Sequence, residues 1–308
     1  MADNPWSHLY TPRAGEQRIG DNLAPTGAAP FVLFGLAEDL GVRANGGRPG
    51  AADSPEAVLR ALLNIPCNDW VRGTDFAWGG ILDLRHAGSV DAVDEAVHAA
   101  VLPWMKAGII PLVVGGGHNN ALPLLWAASE TQGKAVHALN LDPHPDVRDL
   151  EGRHSGNGFS YAHSRGYLDR YAVLGLSEYA VNAASLERLK STNGWAFETF
   201  ESWAVRGETS WESALDRMLG HVQLGQFGLE IDVDGITGAP SSAQTSSGWT
   251  WLQARELAYR AGQTGQVAYV HLTELALSYA SEGERPGQAK AAAMLLLDFV
   301  RGTQNLPW

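Results

Sequence analysis

Val136-His137-Ala138-Leu139-Asn140-Leu141-Asp142-Pro143-His144-Pro145-Asp146 is the stretch on which the fold of this chain turns. The apolar run Val136–Leu141 reads as a strand, and it breaks at once into two carboxylates and an imidazole. Asp142, His144 and Asp146 occupy alternate positions, so they project to the same side while the backbone stays extended. Pro143 and Pro145 favour that extension and disfavour a helix. Two carboxylates and an imidazole on one side repel, or stay poorly solvated, unless a cation joins them.

The pattern repeats outward from this strand. Pro30–Leu36, Ile109–Val114, Tyr171–Leu176, Gln226–Val233 and Val267–Leu272 read as strands, and Gly80–Leu84 as a weaker one. Helical spacing falls between them. Ser54–Leu63 has Ser54 at the N-cap and Pro55 at the first helical position. Val90–Gly108 ends on a glycine. Leu122–Ala128, Ala184–Ser191, Trp211–Gly220, Trp251–Ala261 and a closing Ala291–Gly302 follow. Alternating strands and helices mean βαβ units, hence an α/β fold with a mainly parallel sheet and helices on both faces.

The chain has 308 residues, 45% of them hydrophobic, which is enough for a substantial core. There is no internal repeat or low-complexity linker, and α/β folds of this length are often one unit. Against 22 Lys and Arg stand 34 Asp and Glu, a net charge of −12. That balance argues against nucleic acid, whose binders carry a basic face. Cys67 is the single cysteine, so no internal disulfide points to an oxidising compartment. No stretch approaches the roughly 18 apolar residues of a membrane helix. Residues 1–20 lack the charged start and apolar run of a signal peptide. A cytoplasmic protein with no membrane partner is the expectation.

In open parallel sheets, functional groups gather beyond the carboxyl ends of the strands. Three motifs sit there. Gly115-Gly116-Gly117-His118-Asn119-Asn120 follows Ile109–Val114, the Asp142–Asp146 run follows Val136–Leu141, and Glu230-Ile231-Asp232-Val233-Asp234 ends Gln226–Val233. In the last, Glu230, Asp232 and Asp234 alternate with apolar residues that face the core. Acidic groups on a core strand are costly unless something positive neutralises them. Taken singly, an Asp-x-His-x-Asp run also fits a solvated turn, an Asp-x-Asp a cap or Mg²⁺-phosphate site, and the glycines a phosphate-cradling turn. The glycines lack the spacing and the Lys-Ser/Thr ending of nucleotide loops. Together, three motifs at strand ends converge on a metal site built from His118, Asp142, His144, Asp146, Asp232 and Asp234. Oxygen-rich ligation with some imidazole suits Mn²⁺, with Fe²⁺, Co²⁺, Ni²⁺ or Zn²⁺ as alternatives. Six side chains suit two ions with bridging carboxylates, a pair that activates a shared water for hydrolysis.

The order of Gly-Gly-x-His, Asp-x-His-x-Asp and Asp-x-Asp resembles the ureohydrolase superfamily, which contains arginase, agmatinase and formimidoylglutamase. The resemblance runs from about Phe31 to the C-terminal helix. It implies a single domain over residues 1–308, with 1–29 as an N-terminal extension. It also implies a three-layer α/β/α sandwich and a pair of Mn²⁺ ions. His118 and Asp146 would bind one ion and His144 and Asp234 the other, with Asp142 and Asp232 bridging. Glu274, in His271-Leu272-Thr273-Glu274, matches the position that contacts the cationic amidino group.

Several residues depart from the family pattern. Asn119-Asn120 follows the first histidine where Ser or Glu is common, and Glu230 stands where Ser or Thr is usual. Gly235-Ile236-Thr237-Gly238 replaces the frequent Asp-Pro. The position of the arginase proton-shuttling histidine falls on Phe159, leaving His154 or His163 as substitutes. Arg148 replaces a short amide, and Arg suits bidentate recognition of a carboxylate. Arg148, Phe159 and the run Gly41-Val42-Arg43-Ala44-Asn45-Gly46-Gly47-Arg48 resemble the formimidoylglutamase branch. Arg43 and Arg48 fit equally a solvated loop or a subunit contact.

The resemblance therefore implies a binuclear metal hydrolase that cleaves the C–N bond of a linear amidine or guanidine. N-formimidoyl-L-glutamate, giving glutamate and formamide, is the best single substrate. Asp146, Glu274 and His154 are the expected catalytic residues, and Arg148, Arg153, Ser155 and Asn157 the expected substrate-binding ones. A guanidino-compound ureohydrolase releasing urea and a non-catalytic metal-binding or regulatory protein of the same fold are the alternatives. The expected partner is a small molecule, and a homo-oligomer is left open.

Overall fold

Every residue of Phe31–Ala37 is buried, yet successive side chains enter different cores. Phe31 and Leu33 join one apolar cluster, while Val32, Phe34 and Leu36 join a second. The same division holds at Leu112 and Val114 against Val113, and at Leu139 and Leu141 against Val136 and Ala138. Alternate side chains leave a strand on opposite faces, so a strand covered on both sides reads as one continuous apolar run.

The computed structural model describes residues 4–304. Its strands are β1 (Phe31–Ala37), β2 (Phe76–Asp83), β3 (Ile110–Val114), β4 (Val136–Leu141), β5 (Leu168–Leu176), β6 (Trp195–Thr199), β7 (Phe227–Asp232) and β8 (Val267–Thr273). Its helices are α1 (Leu40–Ala44), α2 (Ser54–Leu63), α3 (Val90–Lys106), α4 (Ala121–Gln132), α5 (Gly158–Ser164), α6 (Ala183–Ser191), α7 (Phe200–Ala204), α8 (Trp211–Val222), α9 (Trp251–Gln263) and α10 (Arg285–Thr303). The strands form one 8-stranded sheet in the order β2-β1-β3-β8-β7-β4-β5-β6. Every pairing in it is parallel. One face carries α2, α8, α9 and α10 through residues such as Leu62, Leu215, Leu257 and Leu296. The other carries α3, α4, α5 and α6 through Val97, Leu124, Phe159 and Leu189. This is the expected three-layer α/β/α sandwich. No helix among the described residues is long and apolar enough to cross a membrane.

Some elements differ from the sequence reading. Ser54 is the first residue of α2, not its cap. Its buried hydroxyl donates to the Leu275 carbonyl and accepts from the Leu277 amide, tying α2 to the segment after β8. β2 starts earlier than Gly80, with a register shift opposite Leu33 and Phe34, and Gly80 takes φ +102. β6 has no strong apolar alternation because it is an edge strand, mostly half-buried. Ahead of β1, Leu9 and Ile19 are buried, and the Ile19 amide donates to the Ile65 carbonyl at the end of α2.

The expected motifs leave from four neighbouring strands at the middle of the sheet, β3, β8, β7 and β4. Their carboxyl ends share one edge, so four loops meet at one place.

Candidate metal centre

The turn after β3 is shaped by glycines and a carboxylate. Gly115 and Gly116 have φ +88 and +76, a region that favours glycine. A Cβ on Gly115 would also meet Pro55 Cγ at 2.4 Å. Glu38, fully buried just past β1, braces the turn. Its Oε1 accepts from the Gly117 amide at 2.9 Å, Asn119 Nδ2 at 3.3 Å and Asn120 Nδ2 at 2.5 Å. Asn119 and Asn120 are thus amide partners of Glu38. Sequence reasoning passed over Glu38, although it follows a strand as the other motifs do.

This turn delivers His118, whose imidazole is buried. Nδ1 lies 2.8 Å from Asp146 Oδ2, 3.1 Å from Asp142 Oδ2 and 3.3 Å from Asp232 Oδ2. None of these contacts has hydrogen-bond geometry, and Nδ1 is left without a partner. One ligand atom from each of the four residues lies within 4.8 Å of the others. A nitrogen lone pair and carboxylate oxygens converging without hydrogen bonds fit a hard or borderline divalent cation such as Mn²⁺.

The second donor group lies beside the first. Asp142 turns Oδ2 to His118 and Oδ1 to His144, whose Nδ1 is 3.4 Å away. His144 Nδ1 is also 3.8 Å from Asp234 Oδ2. Asp232 faces His118 with Oδ2 while its Oδ1 accepts from the Asp234 amide at 2.7 Å. Asn140 Nδ2 donates to Asp142 Oδ2 at 3.0 Å, steadying the shared carboxylate from below. The structure therefore brings all six predicted ligands together, with Asp142 between the two histidines. Glu230, although it alternates with Asp232 and Asp234, does not join the donor cluster.

The electrostatics call for positive charge. Burial, then the Asp234 and Asp142 carboxylates, push Asp232 well above the usual carboxylate range. Burial and the Asp232 and Asp234 charges do the same to Glu274. Burial opposes charge on His144 too, but Asp142 wins and holds that imidazole up at about 10. Groups shifted this way mark a site arranged around a cation.

A cleft of about 310 Å³ opens above the cluster. Its inner wall includes His144, Asp146 and Glu274, and its outer wall Asn45, Arg148 and Ser155. Asp146 and Glu274 have φ +47 and +63, the only non-glycine residues with positive φ among those described. Such backbone strain concentrates at functional positions. Glu274 Oε1 accepts from the His118 amide at 2.9 Å, while its Oε2 is buried without a partner.

The loop after Asp146 divides differently from expectation. Arg148 is half-exposed on the cleft, donating to Asn45 Oδ1 and Glu151 Oε1, each at 2.6 Å. Ser155 Oγ accepts from Asn45 Nδ2 at 3.2 Å on the same wall. Arg153, His154 and Asn157 do not line the cleft. Arg153 is buried, and its guanidinium is bound bidentately to Asp94 of α3 at 2.8 and 3.0 Å. It also donates to the Asn119 carbonyl and to Asn157 Oδ1. Asn157 Nδ2 donates to the Asp149 and Gly152 carbonyls. His154 Nδ1 accepts from the Gly156 amide and its Nε2 faces Glu151. These three residues brace the loop. Phe159 is buried behind the cluster, edge-on to His118 with ring centroids 5.3 Å apart and stacked on Tyr171 at 4.3 Å. His163 Nδ1 turns to the Leu168 carbonyl. Arg43 pairs with Asp39, and Arg48 donates to the Ser241 and Ser242 carbonyls.

A parallel sheet that gathers these imidazoles and carboxylates at its carboxyl edge defines a metallohydrolase. Residues 29–300 match the arginase family. The formimidoylglutamase of Aromatoleum aromaticum is 30% identical over 92% of this chain and 86% of that protein. The chain belongs to the arginase family. The formimidoylglutamase of Chromobacterium violaceum is 29% identical over 91% of this chain and 90% of that one. Among solved structures, Trypanosoma cruzi formiminoglutamase with Mn²⁺ superposes with a TM-score of 0.81 at 22% identity, covering 95% of this chain and 100% of that one. Bacillus subtilis formimidoylglutamase gives a TM-score of 0.81 at 17% identity, covering 97% and 95%. At these identities the structural likeness establishes the shared fold.

Proposed function

We propose that this chain is a Mn²⁺-dependent hydrolase of N-formimidoyl-L-glutamate, releasing glutamate and formamide. The observation that carries the reading is Glu274 Oε2, buried at the inner end of the cleft with no hydrogen-bond partner. An amidinium, planar and cationic with N–H donors, is the group such an oxygen lacks. The name formimidoylglutamase on relatives that match most of the chain supports the same substrate.

His118, Asp142, Asp146 and Asp232 would hold one ion, and His144, Asp234 and the shared Asp142 and Asp232 the other. When bound, the pair supplies Lewis acidity and lowers the pKa of a water. Glu274 orients the amidinium so that its carbon faces the inner wall. Asp146 turns Oδ2 toward His118, and its second oxygen takes the proton of the attacking water. The C–O bond forms, Asp146 returns the proton to the glutamate nitrogen, the bond from carbon to that nitrogen breaks, and the new hydroxyl gives its remaining proton to water as its oxygen becomes the formamide carbonyl. Glutamate leaves as the amine and the amidine carbon leaves in formamide.

Arg148 sets the outer end of the substrate. Its guanidinium is half-exposed, so its present partners give way to a substrate carboxylate at little cost. Asn45 and Ser155 stand beside it to share that anion. Arg153 and Asn157 keep this wall in shape.

The test is a turnover screen of amidino and guanidino acids with Mn²⁺-loaded protein, resolving formamide, urea and ammonia. Formamide from N-formimidoyl-L-glutamate is the expected product. Release of urea from a guanidino acid in preference would overturn the substrate assignment.

A further inference from the structure

Glu230 stands where the family pattern leads to Ser or Thr, and the chemistry above gives it no task. It lies on β7, fully buried, two residues before the ligand Asp232. Both its oxygens are engaged from the neighbouring strand β8. Tyr269 donates its hydroxyl to Oε1 at 2.6 Å, and His271 Nδ1 lies 2.6 Å from Oε2. Glu230 and His271 are register partners, so the contact is built into the sheet. His271 Nε2 faces the Gly115 carbonyl at 3.1 Å, and a carbonyl only accepts, so Nε2 carries a proton. A second proton lies between Nδ1 and Oε2. Whichever atom holds it, the Glu230–His271 pair is neutral overall, which lets it sit in the sheet core. A serine at 230 would strip His271 of this partner, so the two residues belong together.

The same Oε2 lies 3.6 Å from Nε2 of His118. That nitrogen is buried and has no hydrogen-bond partner. The other ring nitrogen, Nδ1, is the one turned to Asp142, Asp146 and Asp232. A metal-ligating histidine almost always passes its second ring N–H to a carboxylate, carbonyl or water, which fixes tautomer and ring orientation. The 3.6 Å separation is about half an ångström longer than a formed hydrogen bond. We propose that Glu230 is a positioning residue for the ion held by His118. Its Oε2 receives the Nε2–H of His118 and so commits the Nδ1 lone pair to the metal. Tyr269 and His271 hold Glu230 in that role. The inference rests on the two-ion reading above and extends it to a group outside the ligand set.

Mn²⁺ titration of the purified chain, followed by electron paramagnetic resonance and calorimetry, tests this. Wild-type protein takes up two ions. In Glu230→Gln, one of the two dissociation constants weakens about 10- to 100-fold while the other is unchanged. A folded Glu230→Gln chain that binds both ions as wild type does, or that weakens both equally with a lower Tm, overturns the assignment. Should Glu230→Gln not fold, Tyr269→Phe decides. It removes one donor to Glu230 without touching His118, and it weakens the same single ion several-fold; unchanged constants overturn the proposal. A wild-type chain that takes up no Mn²⁺ overturns the metal reading itself, and Glu230 with it. Failure in the variants alone leaves the metal reading standing.

Discussion

The backbone amide of His118 donates to Glu274 Oε1 at 2.9 Å, so one bond ties the His118 turn to the carboxylate at the inner end of the cleft. The two residues come from strands β3 and β8, which are neighbours in the sheet. Glu274 reaches this position with φ +63, a strained conformation costing roughly 1–3 kcal/mol. One oxygen braces the Gly115–His118 turn, and the other is buried at the inner end of the cleft without a partner.

Glu274→Gln separates these two tasks. The glutamine oxygen still accepts from His118, but the negative charge that would hold an amidinium is gone. Losing a buried charge pairing costs about 2–4 kcal/mol, so kcat/KM should fall roughly 30- to 1000-fold. Bound metal should stay at two ions per chain. Steady-state kinetics with metal analysis on the same sample checks both, and wild-type kcat/KM would remove Glu274 from the substrate site.

Asp232→Asn strikes the cluster itself. Asp232 faces His118 through Oδ2, and its Oδ1 accepts from the backbone amide of Asp234, which fixes its carboxylate in the cluster. A neutral amide removes anionic charge from a buried cation site. Most metal and nearly all activity should be lost, read by elemental analysis and turnover. Full metal content with full turnover would end the binuclear reading.

The residues of the cluster were legible in the sequence because parallel strands covered on both faces write themselves as apolar runs. Whatever polar group ends such a run is already at the functional edge, as His118, Asp142 and Asp232 are. The loop after Asp146 gave no such signal. Arg153 reads as a free carboxylate receptor until Asp94, 59 residues away on α3, takes both sides of its guanidinium. Phe159 and Tyr171 stack behind His118 for the same non-local reason. Glu38 was missed because a single carboxylate after a strand carries no motif, and its amide partners Asn119 and Asn120 become visible only once the turn is folded. β6 was missed because an edge strand needs no two-sided apolar run.

Metal uptake should depend on pH with a definite sign. Asp142 holds the His144 imidazole up at about 10, so at neutral pH the metal-free group is protonated. A histidine must lose that proton to become a ligand, so each ion bound at His144 releases at least one proton. The apparent Kd for Mn²⁺ should therefore fall about tenfold per pH unit between roughly pH 6 and 8. Calorimetry in two buffers of different ionisation enthalpy counts the protons directly. Uptake with no proton release would show that His144 is not a ligand.

The two arginines of the loop after Asp146 should part in experiment as they part in the structure. Arg148 is half-exposed and its salt bridge with Glu151 is exposed on both sides, so Arg148→Ala should change stability by no more than about 0.5 kcal/mol. Its loss should instead raise KM for the formimidoyl amino acid about 10- to 100-fold with kcat little altered, because a carboxylate contact remote from the reacting carbon is lost equally in ground and transition states. Arg153→Met does the opposite. It leaves Asp94 buried and unpaired, which costs about 3–5 kcal/mol of folding stability. Urea unfolding and steady-state kinetics on both variants give the answer. If Arg153→Met keeps wild-type stability and raises KM while Arg148→Ala does not, the carboxylate site lies deeper in the loop than Arg148, and the outer wall of the cleft must be redrawn around Asp94 and Arg153.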